Sequence, residues 1–226
     1  MKQRTSPYAF TLIEMLTVMV VIAILASLIV AVNAFAHKKA ALLRADGEIR
    51  TMCAACENYK ADFGGYPQDE TGDPSIDSDT IAVCPILDGD PTSSKYQKGC
   101  IVLYKALSGD AKQGTNPEPS ATRGDVPDGK PETKGYYDFT PNQLRKTSSG
   151  DILYIQDPFG NSYGYSTTAA AAEETYRALL LKNPNSPRRK SGGYNTTFDL
   201  WSTGGVVSTA SGDDLNATRK RWIKNW

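Results

Sequence analysis

An apolar run near the amino terminus constrains this chain more than any other feature. Residues 9–32 read AFTLIEMLTVMVVIAILASLIVAV, and their one charged side chain is that of Glu14. As a helix that rises 1.5 Å per residue, the part from Phe10 to Val32 is long enough to cross the roughly 30 Å hydrocarbon core of a bilayer. A carboxylate costs about 2.5–3.5 kcal/mol near the bilayer centre and less toward the interface. The presence of Glu14 therefore needs an explanation.

Two interpretations of the run leave Glu14 unexplained. One is a plain single-pass anchor, in which Lys2 and Arg4 before the run place the amino terminus in the cytoplasm. The other is a cleavable signal peptide, because residues 34–36 (AFA) form an A-x-A-like cleavage site that would release a chain starting at His37. The apolar stretch is, however, longer than the roughly 7–15 residues usual for a signal peptide.

A third interpretation gives Glu14 a role. The segment AFTLIE, from Ala9 to Glu14, resembles the cleavage and methylation motif of the type IV prepilin-like family, which includes the pseudopilins of type II secretion. The resemblance implies that a prepilin peptidase cuts after Ala9, where the family usually has glycine, and methylates the new amine of Phe10. It also implies that Glu14 pairs with the terminal ammonium of a neighbouring subunit. Such a pair offsets two desolvation costs and sets the register between identical helices.

The helix is expected to continue beyond the membrane and to end near residue 63. Apolar side chains recur at spacings of three and four on one face, while charged side chains lie mostly on the opposite, wet face. The first set is Leu42, Ile49, Met52, Cys56, Tyr59 and Phe63; the second is Lys38, Lys39, Arg44, Asp46, Glu48, Arg50, Glu57 and Lys60. Gly64, Gly65 and Pro67 then stop the helix. The alternative is two helices with a break near Asn33.

Later segments resemble the major pseudopilin of type II secretion. They are YKADFGGYP (59–67), DPFGNSYGY (157–165), YNTTFDLWSTGG (194–205) and the terminal Asn225-Trp226. The turn at 157–161 is also indicated by its Asp-Pro and Gly-Asn pairs alone. The resemblance implies an α+β, pilin-like fold in which a long N-terminal helix packs on a small antiparallel β-sheet domain with long loop insertions. The expected parts are a leader (1–9), a transmembrane and assembly half-helix (10–32), a soluble half-helix (33–66) and a periplasmic domain (67–226).

Four segments fall outside those similarities. Residues 68–100 and 108–135 are rich in Gly, Pro, Ser and Asp and are predicted to be loops with short elements. Between them, residues 100–107 (CIVLYKAL) form an apolar segment that is either a helix or a strand. Residues 169–181 predict a helix that ends at Asn183-Pro184. The insertions either contact partners on the outside of a filament or are neutral surface elaboration.

Four cysteines make disulfides plausible in the oxidising compartment beyond the inner membrane. Cys84 and Cys100 flank a loop of about 15 residues, whose closure contributes on the order of 3 kcal/mol in the chain-entropy model. Cys53 and Cys56 share one helix face, where they are core cysteines, locally bridged, or bridged to the loop pair. A zinc site is disfavoured because no second close pair completes it.

A calcium site is a further implication of the resemblance. Major pseudopilins bind calcium in the C-terminal loop through carboxylates and carbonyls, the oxygen ligands that suit a hard cation. Aligned on DLWSTGG, Asp213 and Asp214 take the places of two carboxylates and Thr203 that of a carbonyl ligand. Val206 replaces the first carboxylate, and Lys220 and Arg221 lie nearby in sequence. The alternative is a solvated acidic turn.

Composition argues against catalysis and nucleic-acid binding. The 226 residues carry 25 basic and 25 acidic side chains and a single histidine, so neither a basic patch nor a His-based site is available. The sequence is therefore predicted to encode a non-enzymatic inner-membrane subunit with a periplasmic domain. The resemblance implies partners: copies of itself in a helical filament, minor pseudopilins, prepilin peptidase and the inner-membrane assembly platform. The alternatives are a type IV pilus subunit, or a membrane-anchored or secreted enzyme or binding domain.

Overall fold

The computed structural model describes residues 11–68, 83–109, 134–187, 192–207 and 213–226. Its helices are α1 (Leu12–Phe63), α2 (Ser94–Ser108), α3 (Thr168–Lys182) and α4 (Asp213–Arg219), with a short 3₁₀ turn at Pro141–Gln143. Its strands are β1 (Leu144–Lys146), β2 (Ile152–Ile155), β3 (Gly164–Ser166), β4 (Asp199–Ser202) and β5 (Ile223–Lys224). The chain divides into two units, one up to Ala41 and one from Leu42 to Trp226.

Helix α1 continues through Asn33 without the break considered as an alternative. It ends where the sequence predicts, because Gly64 takes a positive φ of 80° and its amide donates to the carbonyl of Lys60 at 2.7 Å. A left-handed residue of this kind terminates a helix, and glycine adopts that conformation without a Cβ penalty.

The domain half of α1 supplies one side of the main core. Ile49, Met52 and Cys56 are buried as predicted. They pack in one cluster with Leu103 of α2, Ile155 of β2 and Tyr165 of β3. Two predictions for this helix are wrong. Phe63 is 51% exposed although it was assigned to the apolar stripe, and Glu48 is buried although it was assigned to the wet face.

Two small antiparallel sheets confirm the α+β fold class. β1 pairs with β2, and β3, β4 and β5 form a second sheet with β4 in the centre. The turn at 157–161 joins the sheets, with a bridge between Gln156 and Ser162. Gly164 lies against the indole of Trp201, and a Cβ there would clash with the ring. The close approach of β3 to β4 therefore requires glycine.

The insertions are described only in part. In segment 68–100, residues 69–82 lie outside the described residues, and α2 already begins at Ser94 inside the predicted loop. The apolar segment 100–107 is therefore helical. In segment 108–135, residues 110–133 lie outside the described residues. The helix predicted at 169–181 is confirmed as α3, which buries Ala169 at its start and exposes 90% of Leu181 near its end.

Candidate functional site

The apolar part of α1 is wholly accessible in the single chain. The window Leu12–Ile29 has a mean hydropathy of 2.7, and none of it is buried. In the part of the chain that the structure describes, this is the one helix long and apolar enough to cross a membrane. An apolar surface of this size requires lipid or other helices around it.

Glu14 completes a capping box at the start of α1. The backbone amide and the hydroxyl of Thr11 each donate to Oε2 of Glu14 at 2.8 Å, and the Glu14 amide donates to the Thr11 hydroxyl at 3.4 Å. This reciprocal pattern satisfies amides that the first turn of a helix cannot pair internally. None of the hydrogen bonds described for the chain reaches Oε1 of Glu14, so that oxygen is available to a cation.

The geometry gives Glu14 two separable roles. As a cap it needs only an acceptor oxygen, since glutamine serves at the same position of a capping box. As an ion-pair partner it needs its charge, which the positive end of the helix dipole already favours. Ala9 and Phe10, the predicted processing residues, lie outside the described residues, so cleavage and methylation stay predictions.

A second carboxylate, that of Glu48, ties α1 to the rest of its domain. Its Oε1 accepts from Nε of Arg44 at 2.7 Å, and its Oε2 accepts from the hydroxyl of Tyr163 at 2.6 Å. Tyr163 is fully buried before β3, 115 residues away in sequence. Burial and the neighbouring Glu48 raise the pKa of Tyr163, which keeps its hydroxyl a donor. The pairing explains why a residue predicted to be solvated is buried.

Asp157 organises the turn between β2 and β3. Its Oδ1 accepts from the amides of Phe159 at 3.0 Å and Asn161 at 2.8 Å, and its Oδ2 accepts from the hydroxyl of Ser202 in β4 at 2.6 Å. Burial raises the pKa of this carboxyl, and these hydrogen bonds only partly offset the effect. The side chain thus fixes the turn to the end of β4.

The predicted calcium ligands are only partly described. The carbonyl of Thr203 is buried and accepts from the Val206 amide at 3.1 Å, closing a turn. Asp213 and Asp214 begin α4, but their side chains lie outside what the structure describes. Within the described residues, no group of three His, Cys, Asp or Glu side chains could hold a metal ion. Of the expected calcium ligands, the described residues thus locate the carbonyl oxygen of Thr203 and neither of the two carboxylates.

Arg219 crosslinks the segments around this loop. Its Nη1 donates to the Tyr194 hydroxyl at 2.9 Å and to Oδ1 of Asn216 at 2.7 Å, and its Nη2 donates to the carbonyl of Ile86 at 2.6 Å. The residue is 6% exposed, whereas Lys220 and Arg221 are both exposed. A fixed guanidinium fork suits three acceptors from separate segments.

The four cysteines are free thiols in the structure. Sγ of Cys84 donates to the carbonyl of Gly192 at 2.7 Å, and Sγ of Cys100 accepts from the amide of Ile155 at 3.2 Å. Burial raises the pKa of Cys53 to about 11 and that of Cys100 to about 12, so these thiols are poor nucleophiles. The proposed disulfide pairings stay predictions.

Sequence reasoning missed three residues at these positions. Thr11 had a local signal, since the T-x-x-E spacing before an apolar run indicates a capping box. Tyr163 and Arg219 had none, because the contacts that join separate segments, from Tyr163 to Glu48 and from Arg219 to Tyr194 and Ile86, are distant in sequence.

Comparisons with known proteins agree with the residues singled out at the amino terminus. Residues 7–30 match the family model described as the prokaryotic N-terminal methylation motif. The chain is 32% identical over 129 residues to the type II secretion system core protein G of Pseudomonas aeruginosa, a match that covers 50% of this chain and 90% of that relative. No solved structure matches the chain.

Proposed function

We propose, since this chain belongs to the type IV prepilin-like family of pseudopilins, that it is a subunit of a periplasmic fibre that drives type II protein secretion. In this proposal prepilin peptidase removes residues 1–9 at the inner membrane and methylates the new amine of Phe10. The processed subunits then leave the bilayer and stack through the apolar half of α1. The fibre pushes folded proteins toward an outer-membrane channel.

The observation that carries the proposal is the carboxylate of Glu14 at the start of an unburied apolar helix. One of its oxygens is held by Thr11, and the other is open to a cation. In the low-dielectric core of a filament, the terminal ammonium of a neighbouring subunit is a cation that would offset the cost of burying this carboxylate. A plain anchor would use the capping oxygen of this side chain but would not need its charge.

The partners proposed are further copies of the chain, minor pseudopilins, prepilin peptidase and the inner-membrane platform. The energy comes from a cytoplasmic ATPase acting through that platform. The chain itself is therefore proposed to be non-enzymatic and to have no nucleic-acid partner.

Calcium is proposed as a ligand of the C-terminal loop, with Thr203, Asp213 and Asp214 as its oxygen donors. The test is the melting temperature of the detergent-solubilised protein in calcium and in a chelator. A higher melting temperature in calcium, reversed by the chelator, supports the site. Equal temperatures in the two buffers contradict it, which leaves the solvated acidic turn.

The experiment for the main proposal is deletion of the gene in its own host, followed by an inventory of proteins in the culture medium. We expect secreted proteins to accumulate in the periplasm and to return to the medium on complementation. Normal secretion together with lost adhesion, twitching or DNA uptake would instead identify a type IV pilus subunit. Unchanged secretion and unchanged pilus functions would point to an anchored enzyme or binding domain.

A further inference from the structure

Two adjacent lysines follow the apolar segment of α1 with no acidic residue near them in the sequence. His37, Lys38 and Lys39, here named the basic collar, are all exposed. The sequence has no Asp or Glu between Glu14 and Asp46, so neither lysine has a carboxylate three or four residues away on the helix. None of the ion pairs described for the chain involves the collar, whereas Arg44 pairs with Glu48 and Arg50 with Asp46.

The position of the collar along the helix matches the lipid phosphate layer. Lys38 lies six residues beyond Val32, which is about 9 Å along a helix axis. The headgroup region extends about 5–8 Å beyond the hydrocarbon core on each side. Because lysine stems can lie back along an apolar helix, the two ammonium groups reach the depth of the phosphates. Phe35, 69% exposed, lies between Val32 and the collar, at the interface.

The side of the membrane on which the collar lies makes it unusual. Basic residues close to a membrane span are favoured on the cytoplasmic side, and in the orientation proposed above the collar is periplasmic. The collar therefore does not serve to set that orientation. Its charge is more naturally explained by a partner of opposite charge at the outer surface of the inner membrane.

We propose that Lys38 and Lys39, together with His37, bind the phosphate groups of anionic phospholipids in the periplasmic leaflet. This inference rests on the membrane-anchored orientation of the proposed function. The lysines are about 100° apart around the helix, so they contact lipids on two sides of the subunit. A subunit that enters a fibre must release these lipids and exchange the phosphates for other partners.

The test uses the full-length protein in detergent micelles that contain equal amounts of phosphatidylglycerol and phosphatidylcholine. Native mass spectrometry measures the ratio of the two lipid adducts. Each lysine near an anionic surface contributes about a fivefold preference, so we expect the wild-type ratio to favour phosphatidylglycerol by about 10-fold or more. The double variant Lys38→Gln/Lys39→Gln is expected to give a ratio near one. Lys146→Gln/Lys182→Gln, which removes the same charge from exposed positions of the domain, is the matched control and keeps the wild-type ratio.

Two outcomes would overturn the lipid proposal: a wild-type ratio near one, or a ratio that persists in the collar variant. A separate extraction of native membranes with alkaline carbonate tests the anchoring itself. If the wild-type protein is released, the proposed function fails; if it stays in the membrane and shows no lipid preference, only the lipid proposal fails.

Discussion

Thr11 donates both its backbone amide and its hydroxyl to one carboxylate oxygen of Glu14, each at 2.8 Å. This contact satisfies one oxygen of the carboxylate within the single chain, before any partner subunit is present. It also means that loss of Glu14 removes a helix cap and a charge together. A useful test must separate these two effects.

Glu14→Gln separates them, because glutamine keeps the capping oxygen and removes the charge. We expect the variant to insert into membranes normally and to be impaired in fibre assembly. The measurement is carbonate-resistant membrane association together with electron microscopy of fibres from cells that overproduce the system. Glu14→Ala, which loses the cap as well, is the reference for complete loss. Normal fibres from Glu14→Gln would show that capping is the whole role of Glu14.

The hydrogen bond from the Tyr163 hydroxyl to Glu48 is expected to stabilise the folded domain. Tyr163→Phe leaves a buried carboxylate with one donor fewer, and we expect it to lower the free energy of unfolding by about 1–3 kcal/mol. Urea unfolding of the detergent-solubilised protein, followed by tryptophan fluorescence, provides the measurement. Tyr154→Phe is the control, because its half-buried ring packs on the same core and its hydroxyl makes none of the described hydrogen bonds. Equal losses in the two variants would contradict the role assigned to the Tyr163–Glu48 contact.

Arg219 is expected to hold the C-terminal region together. Arg219→Met removes the donors to Tyr194, Asn216 and Ile86, and we expect a loss of about 2–4 kcal/mol in the free energy of unfolding. Arg219→Lys keeps the charge without the planar fork and is expected to recover less than half of that loss. Arg221→Met, at an exposed position two residues on, is the control and should stay within about 0.5 kcal/mol of wild type. A near-neutral Arg219→Met would refute the crosslink.

The raised pKa of Asp157 predicts that this residue makes the stability of the protein depend on pH. Burial raises the pKa of its carboxyl in the folded state above the value of about 3.9 in the unfolded chain. The folded state therefore binds the proton more tightly. The contribution of this proton to stability is fully present below about pH 3.9 and is lost as the pH rises through the folded value.

Asp157→Asn does not ionise and can keep an amide oxygen toward the same donors. We expect the unfolding free energy of wild type minus that of Asp157→Asn to grow as the pH falls from 7 toward about 4. Urea unfolding at several pH values measures this difference. A difference for Asp157 that is flat or shrinks in acid would contradict the assignment.

Those parts of the fold that depend on neighbouring residues could be predicted from the sequence. Helix α1 follows from an apolar run and a glycine stop, α3 follows from a run of strong helix formers, and the turn at 157–161 follows from its turn residues. In each case the physical cause lies within a few positions of the element. Even the missed cap at Thr11 was visible as a T-x-x-E spacing.

The parts that depend on distant partners could not be predicted. The local sequence predicts that Glu48 is solvated, because its partner Tyr163 lies 115 residues away and contacts it only in the folded domain. Helix α2 begins six residues before its apolar segment, because Tyr96 is buried with Trp201 in a second core cluster that no local pattern reveals. Tertiary contacts override local patterns at both positions.

The most direct test of a prepilin-like subunit is the mass of the N-terminal peptide of the protein isolated from the membranes of its own host. We predict a chain that begins at Phe10 and carries one added methyl group, despite alanine in place of glycine at position 9. A chain beginning at His37 would mean ordinary secretion of a free domain. An unprocessed Met1 would mean a simple anchor. Either of these two results would contradict processing into a fibre subunit.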